Sequence, residues 1–203
     1  MSQQRATTLS LLGLAFISTA VKLNLLVAFD DAAEAWVRQH ITPFCTALMF
    51  RLTQLASPRF VFLLTALLAG MLTLRKSGYW LGRLALSVPG CVLLNEVFKY
   101  VFHRTRPAFE HPLVKLQTYS FPSGHAVAAT VLYGFVAILL WSYISRRFWR
   151  VLIGAVVVAL IAGVGLSRVY LGVHYSTDVL AGLLEGVTWL RFIGMITSRH
   201  RPV

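Results

Sequence analysis

Charged residues are scarce in this sequence, and acidic residues are the scarcest of them. Only 13% of the 203 residues are charged, with 7 acidic and 19 basic side chains, whereas soluble domains average about 25%. Hydrophobic residues make up 57% of the chain, and its mean hydropathy is +0.70. This composition excludes an ordinary soluble domain and predicts an integral membrane protein, folded as a single domain over residues 1–203.

Cysteine is also scarce, with only Cys45 and Cys91 in the chain. Cys91 lies inside an apolar run, so neither a disulfide framework nor a cysteine-based metal site is expected. The formal net charge of +12 comes from basic residues spaced between apolar runs, without a basic tail or repeat. The expected partners are therefore the lipid bilayer and phosphate groups rather than nucleic acid, and the sequence leaves protein partners open.

Long apolar runs predict an all-α bundle with six transmembrane helices. The predicted spans are residues 9–29, 60–74, 80–102, 122–143, 151–166 and 174–196. Residues 31–59 mix aromatic and polar side chains, which is typical of short helices at the membrane interface. The predicted fold is therefore six spans with short interfacial helices between the first and the second.

The distribution of basic residues predicts the orientation of this bundle. If the N-terminus is inside, ten basic residues fall at inside ends and eight at outside ends. The excess of basic residues at the inside ends becomes larger when Lys99, Arg106 and Arg168 are set aside as site residues. Both termini are therefore expected in the cytoplasm, with the polar site on the outer face.

The stretch 167–178, SRVYLGVHYSTD, places polar residues between two apolar runs, where ionisable side chains are costly and usually functional. If His174 opens a helix, Asp178 lies one turn further on the same face and can hold one imidazole nitrogen. Arg168 would supply a planar cation suited to phosphate oxygens. His174 and Asp178 could also be a buried structural pair or two ligands of a metal site.

Two further polar clusters fall on the same predicted membrane face. The third span ends in KYVFHRTRP, with Lys99 and Arg106, and the fourth begins with FPSGH, with Ser123, Gly124 and His125. Taken alone, the first is an ordinary basic helix end and the second a helix start capped by Ser123. Three distant segments converging at one surface instead indicate a functional site.

Together these segments resemble the three-part signature of the type 2 phosphatidic-acid phosphatase superfamily. The matching residues are Lys99, Arg106 and Pro107; Pro122, Ser123, Gly124 and His125; and Ser167, Arg168, His174 and Asp178. The match covers roughly residues 99–178 without departing from the pattern. The six-span order resembles the membrane branch of that superfamily, which contains lipid-phosphate phosphatases, and this implies a bacterial inner membrane protein.

The resemblance implies a role for each matched residue. His174 would attack phosphorus and form a phosphohistidine, Asp178 would orient it, and His125 would act as general acid and then base. The phosphate-binding set would be Lys99, Arg106, Ser123, Gly124 and Arg168, acting on the charge that builds in the transition state. No metal and no other cofactor is expected.

The substrate is the less determined part of this prediction. Undecaprenyl pyrophosphate and phosphatidylglycerol phosphate are the expected lipid phosphates, with lipid A phosphatase or lipid phosphotransferase activity as alternatives. A non-enzymatic, anion-binding transporter is the alternative from another class, but it would not need both histidines and Asp178.

Three minor predictions concern neighbouring polar groups. We expect Glu96 to pair with Lys99, three residues away. Glu185 is expected either to extend the polar pocket or to pair with Lys22. The outer-loop residues His103, Arg104, Glu110, His111 and Lys115 are open to two interpretations, a solvated loop or contact with a lipid head group.

Overall fold

The computed structural model describes residues 3–107 and 118–197, and all regular secondary structure in this part of the chain is helical. Its eight helices are α1 Gln3–Lys22, α2 Val27–Gln39, α3 Pro43–Gln54, α4 Pro58–Leu74, α5 Gly78–Phe102, α6 Gly124–Tyr143, α7 Arg147–Tyr170 and α8 Ser176–Thr197. The all-α prediction is therefore confirmed for the described residues.

Four of these helices, α5 to α8, are long and apolar enough to cross a membrane. Two bent pairs, α1 with α2 at 88° and α3 with α4 at 42°, would raise the number to six if each pair forms one span. Two short helices, α2 and α3, occupy most of the region predicted to be interfacial. The count of exactly six spans, and the interfacial position of α2 and α3, stay predictions.

The first predicted span, residues 9–29, is broken in the structure. α1 ends at Lys22, and Asn24 has a left-handed backbone with φ of 56°. Asparagine tolerates this conformation better than most residues, so the helix can stop here and the chain can turn sharply. α2 then carries Asp30, which is 3% exposed, into the bundle. Apolar composition alone cannot reveal such a break.

Close contact between α6 and α8 fixes the relative position of two predicted motifs. Gly182 and Gly186, spaced four apart on α8, lie directly against α6, as in small-residue packing motifs of membrane helices. A Cβ atom on Gly182 would lie 2.7 Å from the carbonyl oxygen of Ser123, and one on Gly186 would lie 2.7 Å from Thr130 Cβ. The first turns of both helices are therefore held together.

The polar connections meet at one end of the bundle. The backbone N–H of Ser123, before α6, donates to the carbonyl oxygen of Asp178 in the first turn of α8 at 3.0 Å. At the other end, the Thr7 hydroxyl donates to Met195 Sδ at 3.5 Å. The first and last described turns of the chain thus lie together, away from the polar connections.

Candidate active site

The connection between α7 and α8 is folded around the last turn of α7. The backbone N–H groups of Val173 and His174 both donate to the carbonyl oxygen of Arg168, at 3.2 and 3.3 Å. Gly172 permits this tight turn because its φ is 68°, in the left-handed region. His174 therefore precedes α8, which begins at Ser176, and the prediction that His174 opens the helix is corrected by two residues.

His174 lies between an acidic and a basic side chain. Its Nδ1 is 3.4 Å from Asp178 Oδ2, within ion-pair range, and its Nε2 is 3.3 Å from Arg106 Nη1. An arginine guanidinium can only donate, so Nε2 accepts this hydrogen bond. The proton of the neutral imidazole is then on Nδ1, facing Asp178, and the lone pair is on Nε2.

The environment of His174 favours the neutral imidazole. Its side chain is 3% exposed, and burial lowers its pKa to about 4. Asp178 opposes this shift, whereas the positive charges of Arg106 and Arg168 add to it. A neutral imidazole with an unprotonated Nε2 is the form that can act as a nucleophile.

Three cations line the same cavity as this histidine, and each is held by neighbouring groups. Lys99 Nζ lies 2.6 Å from Glu96 Oε1, which confirms the expected pairing. Arg106 Nε donates to the carbonyl oxygen of Thr118 at 2.7 Å. Arg168 Nη1 donates to Thr53 Oγ1 at 2.6 Å, and its buried Nε has no hydrogen-bond partner in the structure. The three cations are thus held in place by protein groups, and the Nε–H of Arg168 remains available as a hydrogen-bond donor.

The start of α6 adds uncharged donors. Ser123 is fully buried, yet its hydroxyl neither caps α6 nor has another hydrogen-bond partner. Ser123 thus occupies the N-cap position of α6, as the sequence indicated, but its side chain does not cap the helix. Gly124 lies against α5, where an added Cβ would come within 3.2 Å of Asn95 Oδ1 and 3.4 Å of Lys99 Nζ. Backbone and hydroxyl donors thus lie beside the cations at a helix N-terminus, which favours an anion.

A cavity of about 420 Å³ joins these residues. It is lined by the charged and polar side chains of Lys99, Arg106, His125, Arg168 and His174. It is also lined by apolar residues of α4 and α5, among them Val61, Phe62, Val88 and Val92. On α5 these apolar residues precede Lys99 by about two helical turns or more, so we distinguish a polar and an apolar end. One end can bind a phosphoryl group and the other a hydrocarbon chain.

The contacts of two residues beside the site, Arg104 and Asp30, were not predicted from the sequence. Arg104 Nη1 donates to Asp178 Oδ1 at 2.5 Å, and its Nη2 donates to Asp30 Oδ2 at 2.8 Å. The interpretation of Arg104 as a solvated loop residue is therefore wrong, and contact with a head group stays a prediction. Glu110, His111 and Lys115 lie outside the described residues. The spacing of Asp30, Arg104 and Asp178 in the sequence does not indicate that they meet, because Asp30 is 148 positions before Asp178.

A buried polar pair lies next to the cavity. Glu185, 1% exposed, accepts a hydrogen bond from Asn95 Nδ2 at 3.0 Å. Asn95 lines the cavity, so Glu185 extends the polar region, while Lys22 is exposed and is not its partner. In residues 3–107 and 118–197, no three His, Cys, Asp or Glu side chains come together as a candidate metal site.

The model of the PAP2 superfamily matches residues 80–201, more than half of the chain. The chain belongs to the PAP2 superfamily. Among its relatives, phosphatidylglycerophosphatase B of Bacillus subtilis is 38% identical over 179 residues, 84% of each protein. Undecaprenyl-diphosphatase of Sulfolobus acidocaldarius is 35% identical over 144 residues, 68% of this chain and 64% of that protein.

Two solved structures share the fold. The crystal structure of a transmembrane PAP2-type phosphatidylglycerolphosphate phosphatase from Bacillus subtilis superposes with a TM-score of 0.86 at 29% identity, covering 96% of this chain and 97% of that one. Aquifex aeolicus LpxE, at 22% identity, superposes with a TM-score of 0.61 over 82% of this chain and 92% of that one, which shows the fold alone. Together with its membrane-length helices, these relatives identify the chain as an integral membrane protein.

Proposed function

We propose that this PAP2 protein is a membrane lipid phosphatase that hydrolyses a phosphate or pyrophosphate group through a phosphohistidine on His174. The observation that carries the proposal is the cavity, whose polar end joins all three predicted motifs and whose apolar end runs between α4 and α5. A phosphatase of this family acting on lipid phosphates needs both ends. In this proposal, residues 1–203 form a single phosphatase domain.

In the first step, His174 Nε2 attacks phosphorus. The Nε2–P bond forms as the bond from phosphorus to the leaving oxygen breaks, and Asp178 stabilises the imidazolium through Nδ1–H. Lys99, Arg106 and Arg168 neutralise the phosphoryl oxygens as charge builds, assisted by the Ser123 hydroxyl and the donors at Gly124. The cations are already ordered by protein contacts, so little reorganisation is needed during the reaction.

His125 is the proposed proton donor and acceptor. It lines the polar end of the cavity beside His174, so it can protonate the departing oxygen in the first step. In the second step it takes a proton from water. The water oxygen then bonds to phosphorus, the Nε2–P bond breaks, and inorganic phosphate leaves. The protein's cations carry the electrostatic role in this scheme, so no metal or other cofactor is proposed.

The proposed substrate is a lipid with a terminal phosphate or pyrophosphate, such as phosphatidylglycerol phosphate or undecaprenyl pyrophosphate. The apolar end of the cavity accommodates hydrocarbon, and the relatives are named for these two substrates. We further propose that both termini are cytoplasmic and that the site opens to the outer face of a bacterial inner membrane. The position of the first and last described turns away from the site supports this orientation.

A panel assay tests the proposed function. Purified full-length protein in lipid vesicles is offered phosphatidylglycerol phosphate, undecaprenyl pyrophosphate, phosphatidate and lipid A, and released inorganic phosphate is measured with His174→Ala protein as control. Release from at least one lipid by the wild type alone is expected. Transfer of phosphate to a second lipid without release would favour a phosphotransferase, and binding without turnover would favour an anion-binding transporter.

A further inference from the structure

The two oxygens of Asp178 have different partners. Oδ2 accepts from the backbone N–H of Tyr175 at 3.0 Å and lies 3.4 Å from His174 Nδ1. Oδ1 faces away from the imidazole and accepts from Arg104 Nη1 at 2.5 Å. An aspartate three residues into a helix commonly reaches back to the residue before it, which explains the bond to Tyr175. The contact with Arg104 is not explained by helix capping.

Arg104 itself is held between two carboxylates. Its Nη2 donates to Asp30 Oδ2 at 2.8 Å, and its guanidinium carbon lies 4.1 Å from the centre of the Tyr175 ring. Asp30 also accepts from the Thr177 backbone N–H at 3.0 Å and from the Thr177 hydroxyl at 2.7 Å. Asp30 thus binds the first turn of α8 and Arg104 together, from a separate helix.

We propose that Arg104 and Asp30 are positioning residues for phosphoryl transfer: Arg104 fixes Asp178 with Oδ2 towards His174 and takes up part of its negative charge, and Asp30 holds Arg104. This inference rests on the proposed role of His174 as nucleophile. It assigns a function to the bend after α1, because that bend brings Asp30 of α2 to the start of α8.

The charged and polar groups around His174 fall into two sets, one on each side of Asp178. Asp178 faces Nδ1; Arg106 faces Nε2; and Arg168, Lys99 and His125 line the same cavity. Arg104, Asp30 and Tyr175 lie on the other side of Asp178. Because Arg104 binds the oxygen that does not face the imidazole, its charge weakens the pull of Asp178 on the imidazolium while preserving the orientation of Nδ1.

A head-group contact would use Arg104 differently. Both of its terminal nitrogens are engaged by buried carboxylates, and its side chain is 19% exposed. Loss of a residue that binds substrate equally in ground and transition states raises KM and leaves kcat unchanged. Loss of a residue that orients the nucleophile lowers kcat instead. Comparing the change in kcat with the change in KM therefore distinguishes a substrate-binding residue from one that orients the nucleophile.

The test compares Arg104→Gln, Arg104→Lys, Asp30→Asn and the double variant Arg104→Gln/Asp30→Asn with wild type, in vesicles, on the lipid phosphate that the wild type hydrolyses fastest. Arg59→Gln is the matched control, because Arg59 is exposed near the same end of the bundle and does not line the cavity. Inhibition by inorganic phosphate reports whether the pocket of each variant is intact. His174→Ala, measured in parallel, tests the proposed function itself.

We expect Arg104→Gln to lower kcat about 10- to 100-fold, since small misplacement of a reacting group has effects of this size. KM and inhibition by phosphate should change less than about twofold, because Lys99, Arg106 and Arg168 remain. In the pH profile of kcat, the acidic limb should move to higher pH by about half a unit, because Asp178 without Arg104 favours the imidazolium form of His174 more strongly. Arg104→Lys should restore part of kcat, and the double variant should be no worse than Arg104→Gln.

Three results would overturn the inference: a raised KM at unchanged kcat in Arg104→Gln, an unshifted pH limb, or full additivity in the double variant. If Arg104→Gln loses inhibition by phosphate because it misfolds, Asp30→Asn decides alone, because Arg104 then loses the carboxylate that holds it. A wild-type kcat in Asp30→Asn would then contradict the inference. Near-wild-type turnover by His174→Ala would contradict the proposed function instead, so the two failures are distinguishable.

Discussion

Arg106 Nη1 lies 3.3 Å from His174 Nε2, on the opposite side of the imidazole from Asp178. This contact joins the first signature motif to the third and defines the tautomer, because arginine has no acceptor. It leaves the Nε2 lone pair beside the cations that line the polar end of the cavity. The nucleophile and the charges proposed to stabilise its attack are therefore arranged by a single cluster.

The pH dependence of the reaction follows from the buried imidazole. Attack needs neutral His174, and burial lowers its pKa to about 4. The acidic limb of kcat/KM should therefore lie near pH 4, well below that of an exposed histidine. Asp178→Asn removes the anion that favours the imidazolium, so it should lower kcat and move this limb to still lower pH. A limb that moves upward in Asp178→Asn, measured by initial rates, would contradict this account.

The packing of α6 against α8 makes a separate prediction about stability. Gly182→Ala places a Cβ 2.7 Å from the Ser123 carbonyl oxygen, so the start of α6 must shift. We expect the free energy of unfolding to fall by about 1–3 kcal/mol and activity to fall with it. Gly82→Ala is the control, because a Cβ at Gly82 meets nothing within 4 Å. Equal melting temperatures for the two variants in detergent would contradict the proposed role of this contact.

Much of the site could be predicted from the sequence because its motifs are local. Residues 122–125 and the His174–Asp178 spacing carry their own signal, and helix lengths placed them at one end of the bundle. The roles of Arg104 and Asp30 could not be predicted, since they depend on a bend at Asn24 and on contacts between distant segments. Ser123 was ambiguous because a cap and a phosphate donor share the same residue type.

Orientation in the membrane is tested by cysteine labelling. Cys45 is first replaced by serine, while the fully buried Cys91 is kept. One further cysteine is then placed at either of two exposed positions, His103 near the site or Arg75 at the α4–α5 turn. If the site faces outward, the cysteine at position 103 should react with an impermeant thiol reagent on intact cells, and the one at 75 only after lysis. The reverse pattern would invert the topology.

Dependence on metal is tested by chelation and by a transition-state mimic. Because protein cations are proposed to stabilise the phosphoryl oxygens, phosphate release should be unchanged in EDTA and inhibited by vanadate. Phosphate release with and without each reagent is the measurement. Loss of activity in EDTA that zinc or magnesium restores would support the interpretation of His174 and Asp178 as metal ligands.

The central claim is that His174 carries the phosphoryl group. The most direct test is to mix enzyme with a lipid radiolabelled in its terminal phosphate, quench with alkali within one turnover, and locate the label by peptide mass spectrometry. We expect an acid-labile, alkali-stable phosphohistidine at position 174 in the wild type. In His174→Ala the label should be absent, and turnover should fall by several orders of magnitude. Label trapped normally in His174→Ala, or turnover close to that of the wild type, would contradict the account.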